Sequence, residues 1–143
     1  MNEPEVIEEM LRKSKTIAVV GMSDKSTRAS HHIGKYLADK GYRVLPVNPA
    51  LTSIQGTPCY PDLDTALTAS KELTGSSIDL VDVFRASEHV PAIVKDVMRL
   101  QIPYLWLQDG VVHDEAIGWA EDAGVKCVQN DCIFRRHAAM RGD

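Results

Sequence analysis

No run of apolar residues in this sequence approaches about 18, the length at which a helix can span a bilayer. The N-terminus, MNEPEVIEEMLRKSK, lacks the apolar core of an export signal. The 3 cysteines, Cys59, Cys127 and Cys132, are odd in number and lack C-x-x-C spacing, which argues against a disulfide framework and the common zinc or redox motifs. There is no basic tract, and a formal net charge of -4 disfavours a general binder of nucleic acid or membrane surface. A small anionic ligand needs only local positive potential, so that class stays open. Internal repeats, low-complexity segments and a dividing linker are also absent. These absences predict a cytoplasmic protein with reduced thiols, no membrane or nucleic-acid partner and no metal.

What is present fits one domain covering residues 1–143, because 143 residues at 44% hydrophobic content can fill one core. Pro4 in a first turn, early acids, late Arg12 and Lys13, and Val6, Ile7, Met10 and Leu11 at helical spacing predict a covering helix over 4–13. Ile17–Val20 is a β-branched apolar run that reads as a strand covered on both faces. A helix over about 30–40 ends at Gly41, and Arg43–Val47 returns as a strand. Residues 50–77 carry a weaker signal: a turn with a short strand in GTPCYPDL, a short helix in DLDTALTAS and a flexible connection at TGSS.

Further strands are expected at Asp79–Phe84, Tyr104–Gln108 and Val125–Val128. A helix from about Ser87, capped by the serine hydroxyl, and another over 114–123 separate them. The tail, 132–143, is expected to add a closing turn of helix. Such alternation implies right-handed crossovers, and so an α/β fold: a doubly wound parallel sheet in a single three-layer domain.

Ligands of such sheets bind outside the carboxyl ends of the strands, where strand order reverses. That singles out the loops at 21–30, 48–50, 84–87 and 108–111. The first precedes a helix N-terminus, where free N–H groups and the helix dipole favour phosphate; Ser23, Ser26, Thr27 and Ser30 add hydroxyls, Lys25 and Arg28 charge. The same residues also suit an ordinary solvated loop, and position is what favours the ligand. GMSDKS lacks the second and third glycines of a dinucleotide fingerprint, and Asn48-Pro49 stands where an NAD site carries an acid and an NADP site an arginine. A neutral Asn held extended by Pro49 leaves room for a phosphorylated ribose.

Trp106, inside a strand, reads as core, while Gln108 at a strand exit is better placed for a ligand. Phe84 suits either the core or the crevice. Arg85, just past the strand, is expected to face the crevice. Asp79 and Asp82, at odd separation, fall on opposite faces and form no carboxylate pair. His31 and His32 suit a packing or surface role more than a phosphate contact. His89, His113 and His137 lack ligand spacing or a neighbouring nucleophile, and no Ser, Cys or Lys sits in an activating motif, so no catalytic residue is assigned.

VVGMSDKSTRAS, GYRVLPVNP, DLVDVFR, LWLQDGV and NDCI, in this order across residues 5–137, resemble the motifs of the small bacterial CoA-binding domain proteins. These are relatives of the CoA-binding domain of the succinyl-CoA synthetase alpha subunit. The resemblance implies a Rossmann-type fold and coenzyme A as ligand. It also implies Gly21, Met22, Ser23, Lys25, Arg28 and Ser30 around the phosphates and Val47, Asn48 and Pro49 along the nucleotide. Phe84 and Arg85 would lie toward the adenine or pantetheine, with Gln108 and Gly110 on the opposite wall. TALTASKELTGSS is longer than the pattern, and Arg136 stands where it has an acid. Non-catalytic binding of coenzyme A or an acyl-CoA is the expected function. The alternatives are an NAD(P)-binding oxidoreductase, an acyl-CoA converting subunit that needs a partner, and an interaction module with an empty crevice.

Overall fold

The computed structural model describes residues 2–141. Helix α1, Pro4–Lys13, has the predicted bounds and buries Ile7, Met10 and Leu11. It leads into strand β1, Thr16–Val20, helix α2, Ala29–Asp39, and strand β2, Arg43–Val47. The weak region resolves into a two-residue hairpin and a helix. Strands β3, Ser53–Ile54, and β4, Thr57–Pro58, turn through Gln55 and Gly56, both at positive φ as such a tight connection requires.

Helix α3, Leu63–Thr74, starts where the Asp62 carboxylate accepts a hydrogen bond from the Thr65 N–H at 2.8 Å, and it ends at Gly75 in the left-handed region. Asp62→Ala should lower stability by about 1 kcal/mol, with Asp62→Asn recovering most of it. Urea unfolding checks this as a lower midpoint at unchanged slope.

Strand β5, Leu80–Val83, helix α4, Val90–Arg99, strand β6, Tyr104–Leu107, helix α5, Asp114–Asp122, strand β7, Lys126–Val128, and helix α6, Ile133–Arg141, complete the chain. The five long strands are parallel in the order β2-β1-β5-β6-β7. This is a Rossmann-like α/β fold with a doubly wound parallel sheet. The switch point lies between β1 and β5, because the chain first moves outward to β2 and then crosses back.

Alternation along the strands feeds two core layers. Ile17, Val19, Leu80, Trp106 and Val128 pack under α1, α2 and α6; Ala18, Val20, Val81, Val83, Leu105 and Leu107 pack under α3, α4 and α5. Trp106 is core, its indole N–H donating to the Asp131 carbonyl at 2.9 Å. Among the described residues no helix is long and apolar enough to cross a membrane.

Two expectations need correction. Ser87 does not cap a helix: residues 87–89 form a 3-10 turn ahead of α4, and the Ser87 hydroxyl accepts from the Val112 N–H at 2.9 Å, tying two crevice loops together. The tail forms more than a closing turn, since α6 runs to Arg141; residues 142 and 143 of that tail lie outside the described residues. Two features anchor α6. The buried Gln108 side chain accepts from the Ile133 N–H at 3.1 Å, and the Asp131 carboxylate accepts from the Cys132 N–H at 2.8 Å.

Candidate functional site

At the switch point the chain leaves β1 through Gly21, whose φ is 87° and whose N–H donates to the Val47 carbonyl at 2.8 Å. A Cβ here would lie 2.8 Å from the Phe84 carbonyl oxygen and 2.9 Å from the Arg85 Cδ. Glycine therefore answers both a backbone conformation and a close approach by the exit of β5.

The loop beyond is tied by its own hydrogen bonds. The Ser30 hydroxyl accepts from the Ser23 N–H at 3.0 Å, the Ser23 hydroxyl from the Lys25 N–H at 3.0 Å, and the Ser23 carbonyl from His31 Nδ1 at 2.9 Å. A carbonyl can only accept, so Nδ1 of this buried histidine carries the proton. Both serine hydroxyls act as acceptors here, which leaves each O–H proton available to a ligand.

The loop ends at Arg28, the N-cap of α2. It supplies no side-chain cap, and the first turn carries no acid. The free N–H groups and positive dipole end of α2 thus meet a cation where an aspartate or serine would be the usual stabilising choice. Among the described residues neither the Lys25 ammonium nor the Arg28 guanidinium has a hydrogen-bonding or ionic partner, and both side chains are exposed. This arrangement suits an anion. An open cavity of about 390 Å³ lies over it, lined by Gly21, Ser23, Lys25, Arg28, Ala29, Ser30 and Phe84.

Of the remaining sequence-derived site residues, Arg85 reaches the cavity's edge, its Cδ 2.9 Å from where a Gly21 Cβ would lie, and the others do not line it. Met22 is buried against Gly34, where a Cβ would come within 2.6 Å of the methionine methyl. Asn48 works inward: Nδ2 donates to the Met22 carbonyl at 3.1 Å and Oδ1 accepts from the Ala50 N–H at 2.9 Å, so the side chain braces the first loop. Val47 is core and Pro49 is exposed on the β2 exit. Gln108 Oε1 is engaged by the Ile133 N–H, and the Gly110 N–H donates to Asn130 Oδ1 at 2.8 Å, joining the exits of β6 and β7.

Sequence reasoning missed Ala29, which carries no chemical signal beyond its small size. It also missed His89 as a partner of Arg85, 3.2 Å away. Helical spacing of these two residues was the one available clue.

The model of a family described as CoA binding domain matches residues 15–138. The chain belongs to this CoA-binding domain family. A curated relative, the uncharacterized protein YneT of Bacillus subtilis, is 36% identical over 135 residues, covering 94% of each chain.

Solved structures share the fold. A hypothetical protein from Pyrococcus horikoshii superposes with a TM-score of 0.86 at 33% identity, over 98% of this chain and 93% of that one. Prb, described as the PH1109 protein redesigned for binding, gives 0.86 at 30% identity over 100% and 95%.

Two features of this CoA-binding domain bear on chemistry. Among the described residues no side-chain base is hydrogen-bonded to the Ser23 or Ser30 hydroxyl; His31 Nδ1 holds the Ser23 carbonyl instead. The cysteines offer no substitute: all are buried, and burial pushes the Cys127 thiol up to about 12, far from a reactive thiolate.

Proposed function

We propose that the protein binds coenzyme A, free or acylated, without converting it, and holds the diphosphate in the cradle between Gly21 and Ser30. The observation that carries this reading is the uncapped α2 N-terminus with Arg28 upon it and Lys25 beside it, both lacking an anionic partner. A phosphate there meets backbone N–H groups, the dipole end, two hydroxyl protons and a guanidinium. The family supports coenzyme A as the source of that phosphate. A cavity of about 390 Å³ suits the phosphate region of so large a ligand, with the remainder along the rim over Phe84.

Binding without conversion is supported by two observations among the described residues: no base is hydrogen-bonded to the Ser23 or Ser30 hydroxyl, and the thiols are buried. The absent glycines and the neutral exit of β2 disfavour NAD and NADP. Thermal unfolding with CoA, acetyl-CoA, NAD and NADP at matched concentrations tests the reading. A ligand that binds only the folded chain raises its midpoint, so CoA and acetyl-CoA should do so and the nicotinamide dinucleotides should not. An equal shift with NAD would overturn the assignment, as would turnover of acetyl-CoA abolished by a cavity substitution.

A further inference from the structure

We propose that Arg85 and His89 form a second anion subsite beside the cradle, which takes an anionic oxygen group of the ligand other than its diphosphate. The inference rests on the coenzyme A reading above. Arg85 leaves β5 directly after Phe84, a wall of the cavity, and its Cδ passes over Gly21, leaving no room there for a Cβ. The side chain is thereby held on the β5 side of the switch point, while Arg28 stands on the α2 side.

Its chemistry is unspent. Among the described residues Arg12, Arg99, Arg135 and Arg136 each meet a carboxylate within 4.0 Å, whereas Arg28, Arg43 and Arg85 have none, and of these three Arg43 lies elsewhere, donating to Thr16 Oγ1 at 3.0 Å. Two arginines without acidic partners therefore flank one cavity. Arg85 Nη2 lies 3.2 Å from His89 Nε2, and since guanidinium has donors only, it donates and the histidine accepts.

That bond holds one edge of the guanidinium and leaves its other N–H groups to grip a planar or tetrahedral oxyanion. Glu88 is exposed and 3.9 Å from the histidine ring nitrogen, too loosely placed to occupy the pair. His89 is thus a positioning residue for Arg85.

Coenzyme A derivatives carry such a group in two places, the ribose phosphomonoester and the free carboxylate of a dicarboxylic acyl chain. Calorimetry with CoA, 3'-dephospho-CoA, acetyl-CoA and succinyl-CoA separates them. The wild-type protein should prefer the more anionic member of one pair by about 10-fold, the size of one charge-assisted hydrogen bond. Arg85→Gln, which keeps a stem over Gly21, should shrink that preference to about 2-fold and leave the less anionic member's affinity unchanged. His89→Ala should shrink it partway.

The pair that responds identifies the group. Wild-type protein that binds all four ligands with neither preference would overturn the subsite and leave coenzyme A binding standing, as would Arg85→Gln weakening all four alike. If none of the four binds, both proposals fall.

Discussion

Arg28→Ala should weaken coenzyme A binding about 10- to 100-fold while the thermal midpoint of the free protein stays where it was. A charge-assisted hydrogen bond contributes roughly 1.5 to 3 kcal/mol, and about 1.4 kcal/mol is one decade of affinity. The fold should not notice the change, because the guanidinium is exposed, caps no N–H group and has no partner among the described residues. Pantetheine, which lacks the diphosphate, should bind poorly to both proteins and show no difference between them. Calorimetry decides: equal affinities of wild type and variant for CoA would mean that the loop after Gly21 is not the phosphate cradle.

The second large effect concerns stability. Asp82 sits in the middle of β5, opposite Val19 on one side and Trp106 on the other, fully buried with both carboxylate oxygens unpartnered. Burial pushes its carboxyl well above the ordinary range, since no charge or donor compensates the lost hydration. Asp131 is the contrast within the same chain. Burial opposes its charge too, yet hydrogen bonds from Arg136, the Cys132 N–H and Arg135 outweigh that and hold its carboxyl below the ordinary range.

A raised value in the folded state means that the folded chain holds a proton the unfolded chain has released. The stability this contributes is complete below about pH 4, the unfolded carboxyl's range, and is lost as pH rises through the folded value, at up to about 1.4 kcal/mol per pH unit. Asp82→Val removes the term. Near neutral pH it should stabilise the protein by about 1 to 3 kcal/mol, the cost of a buried polar group left unsatisfied. Urea unfolding at a series of pH values tests this by the difference between variant and wild type, in which every other titrating group cancels. The difference should widen as pH rises from about 4. Parallel curves would show that Asp82 does not titrate between the two states.

The sheet was legible because parallel strands buried on both faces must be continuous apolar runs, as IAVV and YLWL are. Helices α1 and α2 announced themselves by spacing and by Pro4 and Gly41 at their ends. Helix α6 did not, because FRRHAAM has little apolar character and the helix owes its start to Gln108 and Asp131, reached only through tertiary contact. Ser87 misled for a similar reason: a serine before an apolar periodic run satisfies the rule for a cap, but its hydroxyl is taken by Val112, 25 residues away in sequence.

Of the sequence-derived candidates, Gly21, Ser23, Arg28 and Ser30 were named by motif and position, and the fold gathers them around one cavity. The direction in which a side chain turns was not legible. Asn48 and Met22 lie beside the crevice in sequence yet point into the frame that supports it. Alternation set Asp82 on the face opposite Asp79 and said no more, and whether a donor awaited it there was beyond any pattern in the chain.

The bonds among Ser23, Lys25, Ser30 and His31 also govern time. A loop that already holds its shape surrenders little further freedom when a ligand arrives, so the ordering entropy is charged to folding and not to complex formation. If the proposed cradle takes the diphosphate, encounter should resemble the meeting of two rigid bodies, drawn together by Lys25 and Arg28 against the -4 of the whole chain. Association should therefore be fast and slow down as salt is added, and the lifetime of the complex should carry most of the difference between one ligand and another.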